Sequence, residues 1–251
     1  MVTKNTINKI FTKLILQNKH LHGNFGTQIR KTLHNITNDK NEYSILRDTI
    51  FNFYKKYNSD KTTEHLEILS KNQNKFITHG KPNTREVEWT SEMRNVAQSE
   101  GLLYSIHNHP LTTSIQSQSD LEILLQGNIK YSITLSNDGL MIIKNNNEQI
   151  EIDENNWFRN DICFNTIRQY NMFSLEENNN CKDKYPSEYQ DIVSRLNNNS
   201  ITEEQANVEW DSIFRKYSKK NKYDYAENYI KHIETDTNLK VYHIPKMPKK
   251  T

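Results

Sequence analysis

The fold of this 251-residue chain is limited above all by a short apolar run, Leu102–Ile106, that leads directly into two histidines. The run reads Leu-Leu-Tyr-Ser-Ile, which is typical of a strand buried inside a sheet. It continues as His107-Asn108-His109 and then meets Pro110. Because proline has no N–H to donate to a strand ladder, the strand is predicted to end there and the chain to turn away abruptly.

Segments on both sides of this run predict further strands and two helices. The predicted strands are Glu64–Leu69, Lys75–Thr78, Thr84–Thr90, Lys130–Leu135 and Leu140–Lys144. One helix is predicted from Ser91, as its cap, to Ser99. A second is predicted over Gln118–Gln126, with Ser117 as its cap. Strands and helices alternate irregularly here, so the sequence predicts a mixed α/β (α+β) fold.

Three segments of different character divide the chain. Residues 1–40 are predicted to form an N-terminal helical segment, 41–147 the α/β domain and 148–251 a mainly helical C-terminal extension. The N-terminus has the apolar spacing of an amphipathic helix, carried by Ile7, Ile10, Phe11, Leu14 and Ile15. In the extension, helices are predicted over Asn156–Tyr170, Ser187–Leu196, Thr202–Tyr217 and Tyr223–Ile233. Val241–Ile244 is either a last strand or an extended tail.

The two histidines at the end of the buried strand have the spacing of a metal site. Side chains two residues apart on a strand point to the same side, so His107 and His109 should converge on one point. Asp120, in the first turn of the following helix, would return a carboxylate to that point. Two imidazoles and one carboxylate leave one zinc position for water, which is typical of a catalytic site. The residues therefore predict one Zn²⁺ per chain, bound by His107, His109 and Asp120.

The spacing of these residues carries a family resemblance. From His107 to Asp120 the chain reads His-x-His, seven residues, Ser, two residues, Asp. This resembles, without a gap, the signature of the JAMM (MPN+, JAB) zinc metallopeptidases. The His-Asn-His-Pro start is also similar to the RadC branch and to prokaryotic and phage-associated relatives. The resemblance covers about residues 41–147 and implies a cytidine-deaminase-like mixed sheet flanked by helices, with the terminal helical segments as additions.

The same resemblance implies two catalytic side chains beside the three ligands. Ser117 would donate a hydrogen bond to the oxyanion of the tetrahedral intermediate, although a helix cap is an equally good role for it. The family's catalytic glutamate lies at the start of a strand after the first helix, which points to Glu64. The other glutamates nearby fit less well: Glu67 has the position of a surface residue, Glu86 and Glu88 lie on a later predicted strand, and Glu100 lies too close to the histidines.

The resemblance implies a zinc metallopeptidase or isopeptidase, with a peptide or a ubiquitin-like protein as its substrate. A rival hypothesis comes from the RadC-like and phage-associated relatives. There the domain would act as a binding module in DNA maintenance or particle assembly. A scaffold without activity is disfavoured, because such relatives usually lose the ligands that are present here. Other catalytic motifs, such as His-Glu-x-x-His or a glycine-rich phosphate loop, are absent from the sequence.

Composition indicates which partners, which compartment and which cysteine chemistry to expect. With 33 basic and 31 acidic residues the net charge is +2, which does not indicate a nucleic-acid partner. No stretch approaches the roughly 20 apolar residues of a membrane-spanning helix, and the N-terminus lacks signal-peptide organisation, so a cytoplasmic protein without a membrane partner is expected. Cys163 and Cys181 fit no metal or redox spacing, and two unpaired thiols are a simpler interpretation than a disulfide.

Overall fold

A six-stranded mixed sheet is the centre of the protein, whose computed structural model describes residues 25–57, 60–82, 87–110, 113–147 and 161–246. The strands are β1 His65–Ser70, β2 Lys75–His79, β3 Leu102–His109, β4 Ile129–Ser136, β5 Gly139–Asn145 and β6 Leu239–Pro245. Their spatial order is β2-β1-β3-β4-β5-β6. β3 and β4 are parallel and all other neighbours are antiparallel. The apolar run Leu102–Ile106 is therefore part of an inner strand, with β1 on one side and β4 on the other.

Eight helices occur in the described residues. They are α1 Phe25–Ile36, α2 Lys40–Tyr57, α3 Ser91–Glu100, α4 Gln118–Gln126, α5 Asp161–Lys184, α6 Pro186–Asn197, α7 Glu203–Lys220 and α8 Lys222–Ile233. No described helix combines the length and the apolar composition that crossing a bilayer requires. The helix predicted around Ile7–Ile15 lies outside the described residues.

The two faces of the sheet bury separate cores. On one face α1 and α2 pack Leu33, Leu46 and Ile50 against strand residues such as Tyr131 and Ile133. On the other face α3, α4, α5 and α8 cover the sheet. Their buried side chains in that core include Met93, Leu121, Leu124, Cys163, Phe173 and Tyr229. The mixed α/β class is thus confirmed, and helices cover both faces of the sheet.

Segments that the sequence assigns to the flanks take part in this architecture. β6, from the C-terminal extension, pairs antiparallel with β5 over the whole of Leu239–Pro245. Val241–Ile244 is therefore a strand and not a tail. α1, from the N-terminal segment, packs against α2 and the sheet in the same core. Sheet and cores are built from all three predicted segments.

One predicted strand is wrong in its described part. Residues 87–90 lie in neither strand nor helix, and residues 83–86 are outside the described residues. Val87 and Trp89 pack against the core as half-buried loop side chains, which explains their alternation with polar residues. Thr90, not Ser91, caps α3, because its side chain accepts the Met93 N–H at 3.2 Å.

The two cysteines lie on α5 as buried thiols that form no disulfide. Burial raises the pKa of both Cys163 and Cys181 to about 11, so little thiolate exists at pH 8. We therefore expect iodoacetamide at pH 8 to label the native protein at least ~100-fold more slowly than the urea-unfolded chain. Mass spectrometry of the time course measures this difference. Fast labelling of either cysteine in the native protein would contradict the burial of α5.

Candidate metal centre

The end of β3 brings the two histidines together, as their spacing predicts. His107 pairs with Leu66 of β1 and with Thr134 of β4, so its imidazole is buried in the middle of the sheet. His109 follows two residues later on the same side, near the strand end. The Nε2 atoms of the two rings lie 3.1 Å apart. The Thr134 Oγ1 lies 3.4 Å from the His107 Nε2, on the same side of the sheet.

Asp120 reaches the histidines from the first turn of α4. Ser117 caps this helix in a capping box, in which Ser117 and Asp120 bond each other's backbone N–H. The Asp120 Oδ2 accepts hydrogen bonds from the Ser117 N–H and from the Ser117 hydroxyl, both at 2.8 Å. The Asp120 Oδ1 lies 3.4 Å from the His107 Nε2, and Oδ2 lies 3.7 Å from the His109 Nε2. The cap therefore fixes the carboxylate while it faces both imidazoles.

Glu64 approaches from the other side, just before β1. Since Leu66 pairs with His107 in the antiparallel β1–β3 register, Glu64 lies opposite His109 two residues further along. Its Oε1 is 3.8 Å from the His109 Nε2, and the residue is only 5% exposed. One ligand atom each of Glu64, His107 and His109 lie within 4.8 Å of one another. Histidine, cysteine and carboxylate side chains come close enough to hold a metal ion at this group among the described residues.

The distances fit a divalent metal with nitrogen and oxygen ligands. Two ligands at zinc-bond length and tetrahedral angle lie about 3.3 Å apart. The separation of 3.1 Å between the histidine nitrogens and the 3.4 Å between His107 and Asp120 are close to that value. At the His109 Nε2 the two carboxylates differ little, with the Asp120 Oδ2 at 3.7 Å and the Glu64 Oε1 at 3.8 Å. The two histidines therefore have ligand spacing, Asp120 has it to His107, and both carboxylates lie close enough to face the same ion.

A backbone carbonyl selects the tautomer of His109. The His109 Nδ1 lies 3.0 Å from the Thr113 carbonyl oxygen. Since a carbonyl only accepts, Nδ1 carries the proton and Nε2 presents its lone pair to the centre. Such an outer partner orients a histidine ligand and raises its basicity.

His107, His109 and Asp120 shift one another's pKa values because they lie in contact. Burial opposes protonation of His107, but the Asp120 and Glu64 carboxylates outweigh it and raise its pKa. Burial and the neighbouring His107 lower the pKa of His109. Burial alone would raise the pKa of Asp120, yet the two histidines and the Ser117 N–H hold it well below its ordinary value. Asp120 is thus ionised and His109 neutral near pH 7, as metal binding requires, whereas the raised pKa of His107 means that this ring must release a proton before it binds an ion.

A cleft of about 460 Å³ opens over these residues. Its polar floor contains Glu64, His107, His109, Ser117 and Asp120, together with Ser105 and Ser132. Its walls include Trp89 from the loop before α3 and Ile123 from α4. Apolar walls around a few convergent polar groups are typical of a ligand-binding pocket.

The alternative glutamates lie elsewhere. Glu67 is not a surface residue: it is 7% exposed on the opposite face, where its Oε1 accepts from the Tyr104 hydroxyl at 2.8 Å. Glu88 is an exposed residue at the cleft wall. Glu100 contacts Asn74, and Glu86 lies outside the described residues.

Sequence reasoning missed several residues of the site. Ser105 could have been found, because it lies two residues before His107 on the same face of β3. Ser132 and Thr134 on β4 could not, because only the parallel β3–β4 pairing brings them next to the histidines. Trp89 was assigned to a strand, and its place in the cleft wall depends on how the loop packs.

Comparisons of the chain with protein-family models, with curated proteins and with solved structures find no match.

Proposed function

We propose that the protein is a zinc-dependent metallopeptidase or isopeptidase of the JAMM type. The observation that carries the proposal is the meeting of two imidazoles and two carboxylates at the floor of one cleft, with His107, His109 and Asp120 at ligand spacing. The signature spacing from His107 to Asp120 supports the same conclusion. The order of α2, β1, β2, α3, β3 and α4 also agrees with the JAMM-like fold that we propose for residues 41–147.

In this proposal His107, His109 and Asp120 hold the ion, and Glu64 carries protons. A bound zinc would polarise the scissile carbonyl and lower the pKa of a water molecule to about 7. Glu64, buried beside His109, accepts the proton of the attacking water on its carboxylate and returns it to the nitrogen of the leaving amine. Burial of the carboxylate shields this transfer from bulk water.

Ser117 has two roles in the proposal. Its backbone N–H and hydroxyl hold the Asp120 Oδ2, which keeps Oδ1 directed at His107. Its hydroxyl also lines the cleft, where it would donate to the oxyanion of the tetrahedral intermediate. When the hydroxyl proton turns to the oxyanion, the Ser117 Oγ still caps α4 by accepting the Asp120 N–H, and the Ser117 N–H still holds the Asp120 Oδ2.

Metal analysis and cleavage assays test the proposal together. The purified protein should contain about one zinc per chain. It should cleave members of a peptide library or a ubiquitin-like fusion, lose this activity with a chelator and regain it with added zinc. A zinc-loaded protein that cleaves none of these substrates would contradict the peptidase assignment. If that protein also bound DNA in a salt-dependent manner, the binding-module hypothesis would replace it.

A further inference from the structure

Asn108, between the two histidines, has a buried side chain with two specific backbone partners. Its Oδ1 accepts the His65 N–H at 2.7 Å, and its Nδ2 donates to the Thr63 carbonyl at 3.0 Å. These partners fix the orientation of the amide, because an N–H only donates and a carbonyl only accepts. They lie immediately before and after Glu64. The side chain of Asn108 therefore hydrogen-bonds to the backbone on both sides of Glu64.

These two hydrogen bonds lie just beyond the end of the regular β1–β3 pairing. The Cα register between β1 and β3 stops at Leu66 and His107, so the ladder does not extend to Glu64 itself. On the opposite side, the Gly80 N–H donates to the Glu64 carbonyl at 2.8 Å. Asn108 thus supplies two of these three hydrogen bonds around Glu64, and it supplies both from the strand that carries the histidines.

The residue after Glu64 is anchored a second time on the other face of the sheet. The His65 ring stacks on Tyr57 with centroids 3.9 Å apart, and its Nε2 lies 2.9 Å from the Asp60 carboxylate. Both contacts hold the side chain of His65, whereas Asn108 holds its N–H. Loss of Asn108 would therefore release the backbone at Glu64 without removing the anchor of His65.

We propose that Asn108 is a positioning residue that holds Glu64 at its place beside His109. The inference rests on the proposed function, in which Glu64 is the proton carrier next to the metal. With alanine at this position, the Thr63 carbonyl and the His65 N–H would lose their buried partners and the segment would shift to regain them. The Glu64 carboxylate would then leave the neighbourhood of the ion, so its negative charge would support metal binding less.

A double-mutant cycle on zinc affinity tests this inference without using catalysis. Zinc dissociation constants are measured by competition with a chelating dye for the unmodified protein, Asn108→Ala, Glu64→Gln and the double variant. Each single change is expected to weaken zinc binding about tenfold, as is typical of partners outside the ligand set. The double variant should bind no more weakly than Glu64→Gln alone, because Asn108 acts through Glu64. Independent losses that multiply to about 100-fold would overturn the proposal.

Two controls separate positioning from general damage. Asn145 is also a buried asparagine, bonded to Asn147 at the far end of β5, and Asn145→Ala should leave zinc affinity unchanged. If Asn108→Ala does not fold, Asn108→Ser replaces it, since a serine is too short to bridge both backbone groups. Hydrogen exchange at the His65 amide should be faster in that variant, and unchanged protection would overturn the proposal. Absence of peptide cleavage by the unmodified protein would refute the peptidase function but leave this comparison of zinc affinities intact.

Discussion

At saturating zinc, Glu64→Gln is expected to keep about one zinc per chain, even with a zinc affinity about tenfold lower, while its hydrolysis falls by about 10²- to 10⁴-fold. The amide has nearly the shape of the carboxylate, so the cleft and the three ligands should be undisturbed. It cannot accept a proton from water, which removes the transfer that the mechanism assigns to Glu64. Zinc content by atomic emission and kcat on a cleaved peptide measure the two effects.

Two other carboxylates make this prediction specific. Glu67→Gln, on the same strand but on the opposite face beside Tyr104, should keep both the zinc and the activity. Asp120→Asn should lose zinc, because in the proposal Asp120 is a ligand, with its Oδ1 3.4 Å from the His107 Nε2. The reverse pattern, in which Glu64→Gln loses zinc and Asp120→Asn retains it, would make Glu64 the ligand. It would also refute the division of roles proposed above.

His109→Ala should weaken zinc binding by about 100-fold or more, since even substitutions outside the ligand set cost 10- to 100-fold. The variant removes an Nε2 that the Thr113 carbonyl orients toward the centre. Isothermal titration of the chelator-treated protein with zinc measures the loss. Hydrolysis should fall with zinc occupancy, because the ion would both polarise the scissile carbonyl and lower the pKa of the attacking water.

His232→Ala is the matched control for this variant. His232 is also a buried histidine beside a carboxylate, with its Nε2 2.9 Å from Glu176, but it lies in the helical layer. Its loss should lower stability and leave zinc affinity unchanged. Equal losses of zinc in both variants would mean that His109→Ala acts by unfolding the protein and not by removing a ligand.

The local elements of the fold were predictable because each depends on residues close in sequence. The structure confirms the predicted helix Gln118–Gln126 with Ser117 as its cap. Asn137 and Asp138 separate β4 from β5, in the gap between the predicted strands Lys130–Leu135 and Leu140–Lys144. The strand predicted over residues 84–90 failed because alternation of Val87 and Trp89 with polar residues also occurs in a loop that packs half of its side chains.

The sequence by itself determined that His107 and His109 share one side of a strand and that Asp120 lies in the first turn of a capped helix. Strand and helix periods are local, so spacing alone establishes both facts. Only the tertiary structure decided that Glu64 lies beside His109 and that Thr134 lies near His107. It also decided that Asn108 binds the backbone around Glu64 and that β6 completes the sheet. These contacts join residues far apart in the chain, and their formation depends on which strands pair and in what register, which no local pattern encodes.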